Sequence, residues 1–299
     1  MTTAETTPQV GATGPGSRLR SALRYVRDHP GLVVAGAIIA FIVGGALLAP
    51  FIAPYPDDAG TATNMLATLL PPNDEHLFGT DHAGRDVWSR VLFGAWMSVG
   101  TSLLVILASL AVGVPIGLFS GAVGGWLDDI LMRVVDIFLA FPSLLLALAI
   151  GAALGPSLQN AAIAIVIAWW PWYARLMRGE AASIRRRGFV ESGHLLGIAP
   201  WRVTVRHILP NASGPVIVQA SLDLGGVILT LAGLSFLGLG AIDPTPEWGL
   251  MVQQGRALIQ THPWVVLVPG AAIMLAALAF TLLGEGLRER LDPKGATRR

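Results

Sequence analysis

The sequence predicts an all-α integral membrane protein with six transmembrane helices. Of its 299 residues, 53% are hydrophobic and only 13% are charged, about half the charged share of an ordinary soluble domain. Charge-free windows cover residues 29–56, 91–127, 137–174 and 257–284, and Asp223 is the only charged residue between Arg206 and Asp243. A soluble enzyme domain is not expected, because this number of charged residues is too small to cover a water-facing surface. Cysteine is absent, which excludes disulfides and thiolate chemistry.

The apolar windows predict where the spans lie. A helix needs about 20 mainly apolar residues to cross the hydrocarbon core. Four spans are expected at about 31–53, 97–121, 214–240 and 264–284. The long window 137–174 contains a polar turn, Leu154-Gly-Pro-Ser-Leu-Gln-Asn160, which predicts two further spans at about 137–154 and 158–174.

The distribution of Lys and Arg predicts the orientation. With a cytoplasmic N-terminus, the inside segments are 1–30, 122–136, 175–213 and 285–299. These segments hold all Lys and Arg except Arg85, Arg90 and Arg256. Because short cytoplasmic loops carry the excess of positive charge, both termini are expected in the cytoplasm.

The chain is expected to divide into four parts. Residues 1–30 form a cytoplasmic tail with a basic amphipathic stretch, and residues 31–95 hold the first span and an outside loop. Residues 96–285 form the main transmembrane domain, which contains a polar inside loop at about 179–213. Residues 286–299 form a second cytoplasmic tail.

The polar inside loop predicts a few short helices, over Gly179–Arg187, Gly188–Leu196 and Trp201–Leu209. Gly197 and Pro200 break the run, and Pro210 ends it. Apolar side chains surround a lone carboxylate, Glu191. A solvated linker is the plainer interpretation. The length and apolar content favour a short helix that docks into a groove on a partner.

This loop resembles a motif of a known family. Glu191-Ser-Gly, then Gly197, then His207-Ile-Leu-Pro-Asn211 is similar to the EAA loop of ABC importer permeases, written EAA-x3-G-x9-I-x-L-P. Ser192 and Gly193 replace the two alanines, and His207 occupies the isoleucine position. The His-Ile-Leu-Pro-Asn ending resembles the dipeptide/oligopeptide/nickel branch.

A resemblance to the C-type permease subunit of that branch extends from about residue 25 to 293. The outside loop resembles the branch's G-T-D-x-x-G-R-D-x-x-S-R segment, with Gly79, Asp81, Gly84, Arg85 and Asp86 at its defined positions. The Leu234–Gly240 and Pro244–Gly249 segments follow the same pattern.

The resemblance implies a subunit that moves a peptide-type solute inward across the cytoplasmic membrane of a prokaryote. The implied partners are a second permease subunit, two ATPase subunits or a fused ATPase, an extracytoplasmic solute-binding protein, and a peptide or related small solute; nucleic acid is not among them. ATP and Mg would bind the ATPase subunits, and this chain would hold no cofactor or metal. Independently, a phosphate-binding P-loop needs a Gly-Lys pair, and the only lysine is Lys294, which Gly295 follows.

The resemblance also implies which residues couple the chain to the ATPase. By position, Glu191 would meet a cation or a helix N-terminus there, Gly197 would allow a sharp turn, and Pro210 would end the last short helix. The full implied set is Phe189, Glu191, Ser192, Gly193, Leu196, Gly197, His207, Leu209 and Pro210.

Other polar residues have two interpretations each. Asp223, inside the fifth span, is either a functional group facing water or protein, or a partly wet carboxylate paired with Gln219 or a partner chain. Ser235 is grouped with Gln219 and Asp223 as a possible pathway or intramembrane polar residue.

Two further groups of charged residues have spacings that need interpretation. His76, Asp81, His82 and Asp86 could ligate a metal, but without a repeated spacing a hydrogen-bonded loop is favoured. Asp129, Arg133 and Asp136 have the spacing of an ion-pair ladder along one helix.

Three other functions would each require different features in the sequence. An ion-coupled secondary transporter would need intramembrane ion sites and internal repeats, and only Asp223 is available. A membrane-embedded enzyme would need catalytic motifs such as HExxH or GxSxG, which the sequence lacks. A membrane anchor without transport would tolerate truncation of residues 188–210.

Overall fold

The computed structural model describes residues 30–291. The basic amphipathic stretch predicted in the first 30 residues, and most of the second tail, lie outside the described residues. Within 30–291 the regular structure is helical, apart from an isolated bridge between Thr80 and Asp86. The prediction of an all-α fold is confirmed.

The described chain contains ten α-helices, numbered here in chain order. They are α1 Pro30–Ile52, α2 Val87–Val123, α3 Gly125–Leu139, α4 Ser143–Leu154, α5 Leu158–Arg185, α6 Gly188–Leu195, α7 Pro200–Val203, α8 Leu209–Phe236, α9 Trp248–Gly255 and α10 Trp264–Leu291. Short 3₁₀ turns occupy Pro56–Ala59, Met65–Ala67 and Arg256–Leu258.

Four described helices are long and apolar enough to cross a membrane: α1, α2, the continuous Pro200–Phe236 segment, and α10 through Arg290. A fifth span results if α3 and α4, which meet at 82°, are counted as one. The 28-residue α5 corresponds to the fourth predicted span, but its aromatic and charged residues make it less apolar. The six predicted spans therefore correspond in order to these helices, although the count from length and composition alone is lower.

The third predicted span, 137–154, is a broken helix. Helix α3 ends at Leu139, and α4 begins at Ser143 after the turn that contains Pro142. Proline has no N–H for a helical hydrogen bond, and it disfavours a helical conformation of the residue before it. Hydropathy gives no sign of this break, and Pro142 is its local signal in the sequence.

Pro210 does not end a helix, contrary to prediction. The chain stays helical from Pro200 to Phe236, and a π-helical turn over Thr204–Ile208 precedes Pro210 in the first turn of α8. A π turn widens the backbone, which accommodates a residue that cannot donate the usual hydrogen bond.

The most extensive helix pair is α2 with α5, and a row of glycines lets them meet backbone to backbone. A Cβ atom at Gly113, Gly117 or Gly121 would lie 2.2–2.5 Å from a carbonyl oxygen of α5; at Gly117 that oxygen belongs to Ala174. Small residues at every fourth position commonly allow such close packing of membrane helices.

Ion pairs join α3 to α5. The Arg178 guanidinium binds both carboxylate oxygens of Asp128, with Nε–Oδ1 3.0 Å and Nη2–Oδ2 2.6 Å, and Arg175 pairs with Asp136. The ladder predicted along one helix is therefore wrong, because Asp136 pairs with Arg175 on a neighbouring helix.

We expect Gly117→Leu to abolish most of the folded protein, because its side chain would overlap the α5 backbone, and overpacking costs about 1–3 kcal/mol or more. Gly100→Leu, on the same helix where a Cβ meets open space, serves as the matched control. The measurement is the yield of monodisperse protein by size-exclusion chromatography in detergent. Equal yields for the two variants would contradict the close α2–α5 contact.

Candidate functional site

The coupling segment, residues 188–210, continues directly from the end of α5. Its first helix, α6, begins three residues after Arg185, and the Val190 N–H donates to the Arg187 carbonyl at 2.9 Å. Val190 and Val203 are fully buried and belong to the main hydrophobic core. The segment is therefore anchored to the helix bundle rather than loosely tethered to it.

A tight reversal ends α6. The Ile198 N–H donates to the Gly193 carbonyl at 3.1 Å, and Gly197 has a φ of +74°. This is the left-handed conformation that glycine adopts at a helix C-terminus without steric cost. The predicted turn at Gly197 is therefore present.

The opposite face of α6 is exposed and largely apolar. Leu195 is 89% exposed, Leu196 79% and Phe189 46%. Glu191 and Ser192 are exposed beside them. Exposed apolar side chains next to a charge are typical of a protein-docking surface.

The remaining members of the predicted coupling set have different environments. His207 and Leu209 are half-buried, Pro210 is exposed, and Gly193 is buried against α7. A Cβ atom at Gly193 would lie 3.6 Å from Val203 Cγ2, an ordinary contact distance. The family's alanine therefore fits at this position.

The capping loops, residues 53–86 and 241–247, lie at the other end of α2 and hold an ion-pair network in which Asp81 and Arg85 are buried and Asp243 is exposed. Arg85 Nε donates to Asp81 Oδ2 at 2.8 Å, and Arg85 Nη2 to Asp243 Oδ1 at 3.0 Å. Burial alone raises the pKa of Asp243, but hydrogen bonds from Gln254 and Arg85 and the charges of Arg85 and Arg90 bring it below its ordinary value.

The remaining outside-motif residues shape the same loop. Gly79 and Gly84 have φ of +72° and +75°. Asp86 caps α2 by accepting from the Ser89 N–H at 2.8 Å, and its other carboxylate oxygen lies 3.0 Å from His76 Nδ1. The structure thus places these residues in a hydrogen-bonded loop, the interpretation that the sequence favours.

Two buried residues of this end are absent from the predicted site. Arg90 is fully buried, with Nη1 3.1 Å from the Asp58 carbonyl oxygen and Nε 3.5 Å from Asp81 Oδ2. Glu247 is also fully buried and caps α9 by accepting from the Gly249 and Leu250 N–H groups at 2.9 and 2.8 Å. The sequence signals were available: Arg90 ends the outside motif, and Glu247 directly precedes a helix.

Ser235 is part of the environment of Glu247. Burial raises the pKa of Glu247, against hydrogen bonds from the Gly249 and Leu250 backbone and from Ser235 and Ser98. Ser235 is itself fully buried. Its hydroxyl also accepts from the Ala241 N–H at 3.3 Å. The assignment of Ser235 as a possible pathway or intramembrane polar residue stays a prediction.

Asp223 and Gln219 do come together. The Gln219 amide donates to Asp223 Oδ1 at 2.8 Å, and the Tyr173 hydroxyl of α5 donates to Asp223 Oδ2 at 2.9 Å. The pairing with Gln219 matches one of the two interpretations of Asp223, whereas the contact with Tyr173 was not predicted. The spacing of four residues along a helix indicates the contact between Gln219 and Asp223, but no local sequence pattern indicates the contact between Tyr173 and Asp223.

Comparison with known proteins identifies the class. Residues 113–295 match the family "Binding-protein-dependent transport system inner membrane component", and residues 17–72 match "N-terminal TM domain of oligopeptide transport permease C". The chain belongs to this family of inner-membrane components, the permease subunits of ABC importers, in its peptide branch. It is a multi-pass membrane protein and a translocation subunit.

Several curated relatives are similar over most of their length. The dipeptide transport system permease protein DppC of Alkalihalophilus pseudofirmus is 43% identical over 92% of this chain and 90% of its own. The probable D,D-dipeptide transport system permease protein DdpC of Escherichia coli is also 43% identical, over 90% and 89%. The glutathione transport system permease protein GsiD of Pectobacterium atrosepticum is 38% identical over 91% and 89%.

A solved structure agrees on the fold. A chain of the inward-facing MetNI methionine ABC transporter has a TM-score of 0.56 and 16% identity, covering 68% of this chain and 96% of its own. The ion-coupled alternative gains no support from these comparisons.

The capping-loop network generates a stability prediction. Arg85→Met would leave the buried Asp81 carboxylate without its closest cation, and breaking a buried pair costs about 3–5 kcal/mol. We expect a marked fall in the melting temperature of the detergent-solubilised protein. Arg256→Met, at a site with an exposed side chain, is the control. A melting temperature shared by both variants would show that the network adds no stability.

The α6 glycines generate a second prediction. Gly193→Ala should stabilise α6 by about 1 kcal/mol, because alanine is the better helix former and the site has room. Gly197→Ala should destabilise the same helix by about 1–2 kcal/mol, because a side chain disfavours the left-handed conformation. Amide hydrogen exchange over residues 188–196 should slow in the first variant and accelerate in the second. The same direction of change in both would contradict this geometry.

Proposed function

We propose that this chain forms half of the translocation pathway of an ATP-driven importer for peptide-type solutes. The solute class is supported by the names of this chain's relatives, which are transport system permeases for dipeptides, D,D-dipeptides and glutathione. Their similarity covers about nine-tenths of this chain, so the proposal concerns the whole chain rather than one segment.

The proposed coupling element is α6, and one observation carries it. An eight-residue helix exposes Leu195 at its end and Leu196 directly after it, while the buried Val190 fixes the helix to the bundle. A rigid apolar surface fits a groove on a separate ATPase subunit, and Glu191 adds a charge-assisted contact with a cation or a helix N-terminus there. Movement of that groove would then move α5.

The proposed assembly has a second permease subunit, two ATPase subunits or a fused ATPase that bind ATP and Mg, and an extracytoplasmic solute-binding protein. This chain has no nucleotide site or cofactor of its own, and its partners do not include nucleic acid. Both termini and the coupling segment face the cytoplasm, as the bias of Lys and Arg indicates. The solute-binding protein contacts the capping loops. A basic patch on that protein would complement the exposed acidic side chains of the loops.

The test is reconstitution. The complex isolated through a tag on this chain is placed in liposomes, with the solute-binding protein and a labelled dipeptide on one side and ATP on the other. Uptake should require ATP, the binding protein and the ATPase subunits together. Uptake sustained by an ion gradient without ATP would overturn the proposal.

Within that assay we expect Glu191→Lys to reduce ATP-dependent uptake to background, because it reverses a docking charge on an exposed helix. The amount of this chain in the membrane should be unchanged. Glu285→Lys, an equivalent reversal at an exposed site on α10, should transport normally. Normal uptake by Glu191→Lys would remove the coupling role of that residue.

A further inference from the structure

A polar cavity of about 590 Å³ opens beside the coupling segment. It lies between the end of α5, the first half of α8 and the end of α10, and the polar side chains that line it are Glu180, Arg187, Asn211, Gln219 and Arg288. Its volume is within the range of about 300–1,000 Å³ typical of sites for small ligands. An apolar cleft of about 520 Å³ between α1, α2 and α10 contains almost no polar surface by comparison.

The charges at this cavity are of both signs, and within residues 30–291 their side chains form no ion pairs with one another. Arg187 and Arg288 supply two guanidinium groups and Glu180 one carboxylate. None of the three forms a side-chain ion pair with another described residue. Two cations and one anion that do not neutralise each other are available to a ligand that carries both charges.

The cavity also has a polar floor. Gln219 lines it and donates to Asp223, whose second oxygen accepts from Tyr173. Asn211 donates its amide to the His207 carbonyl at 2.7 Å, which leaves its own side-chain oxygen free to accept from a ligand. Leu176, Val218 and Leu222 supply apolar wall between these groups.

We infer that this cavity binds a zwitterionic peptide by its two ends. Arg187 and Arg288 bind the terminal carboxylate, since a guanidinium matches a carboxylate in charge and geometry. Glu180 binds the terminal ammonium group, and the apolar wall contacts the peptide side chains. The inference rests on the proposed function and adds a site where the solute is held on the cytoplasmic side before release.

The experiment measures dipeptide binding to the complete importer in nanodiscs, without nucleotide and without solute-binding protein. The probes are radiolabelled Ala-Phe and its N-acetylated and C-amidated forms. Arg288→Gln should weaken binding of free Ala-Phe about tenfold, the loss expected for one charge-assisted hydrogen bond. The same variant should leave binding of the C-amidated form unchanged, because that probe has no carboxylate.

The complementary pair is Glu180→Gln with the N-acetylated probe. This variant should weaken binding of free Ala-Phe and leave binding of N-acetyl-Ala-Phe unchanged. Arg186→Gln is the matched control for Arg187→Gln, because Arg186 is exposed next to Arg187 but does not line the cavity. Only Arg187→Gln should weaken binding of the free dipeptide.

Three outcomes would overturn the inference. They are no binding of Ala-Phe by the unmodified complex, equal losses with free and end-blocked probes, and loss of the second permease subunit on purification of Arg288→Gln. Loss of the second permease subunit would show that the cavity is part of the interface between the two permease subunits. Failure of ATP-dependent uptake in the liposome assay instead overturns the proposed function, so the two ideas fail separately.

Discussion

The direct backbone contact between α2 and α5, which Gly113, Gly117 and Gly121 allow, positions the rest of the chain. Side chains cannot pass between two backbones at this distance, so α5 is fixed along its length against the longest described helix. Helix α6 follows α5 after two residues, with Val190 buried in the same core. A force applied to α6 therefore reaches the helices of the membrane through α5.

The end of α5 nearest the coupling segment is further secured by charge. Arg185 Nη1 donates to the Val123 carbonyl at 2.7 Å, at the C-terminus of α2, where a cation is favourable. Arg178 donates hydrogen bonds to both carboxylate oxygens of Asp128 on α3. This contact lowers the pKa of Asp128 and raises the pKa of Arg178. These contacts tie α2, α3 and α5 into one unit beside α6.

Much of this arrangement could be predicted from the sequence, because its signals are local. Charge-free windows indicate helices, and the spacing from Glu191 to Gly197 indicates a short helix and its turn. The bend at Pro142 and the π turn before Pro210 could not be placed in the same way, because hydropathy carries no information on backbone direction. Contacts between residues distant in sequence, such as Tyr173 with Asp223, depend on helix packing that no local pattern encodes.

The two ends of the bundle differ in how their charges are solvated. At the capping loops, Arg85, Arg90 and Glu247 are fully desolvated, and Trp248 Nε1 donates to the Val91 carbonyl at 3.0 Å. Separating buried partners leaves unpaired charges, which is costly, so the loops and the first turns of α2 and α9 resist rearrangement. The charges near α6 are mostly exposed, and water can replace their partners at little cost. The exposed charges near α6 can therefore exchange water for the groups of a partner, while α2, α3 and α5 stay joined as one unit.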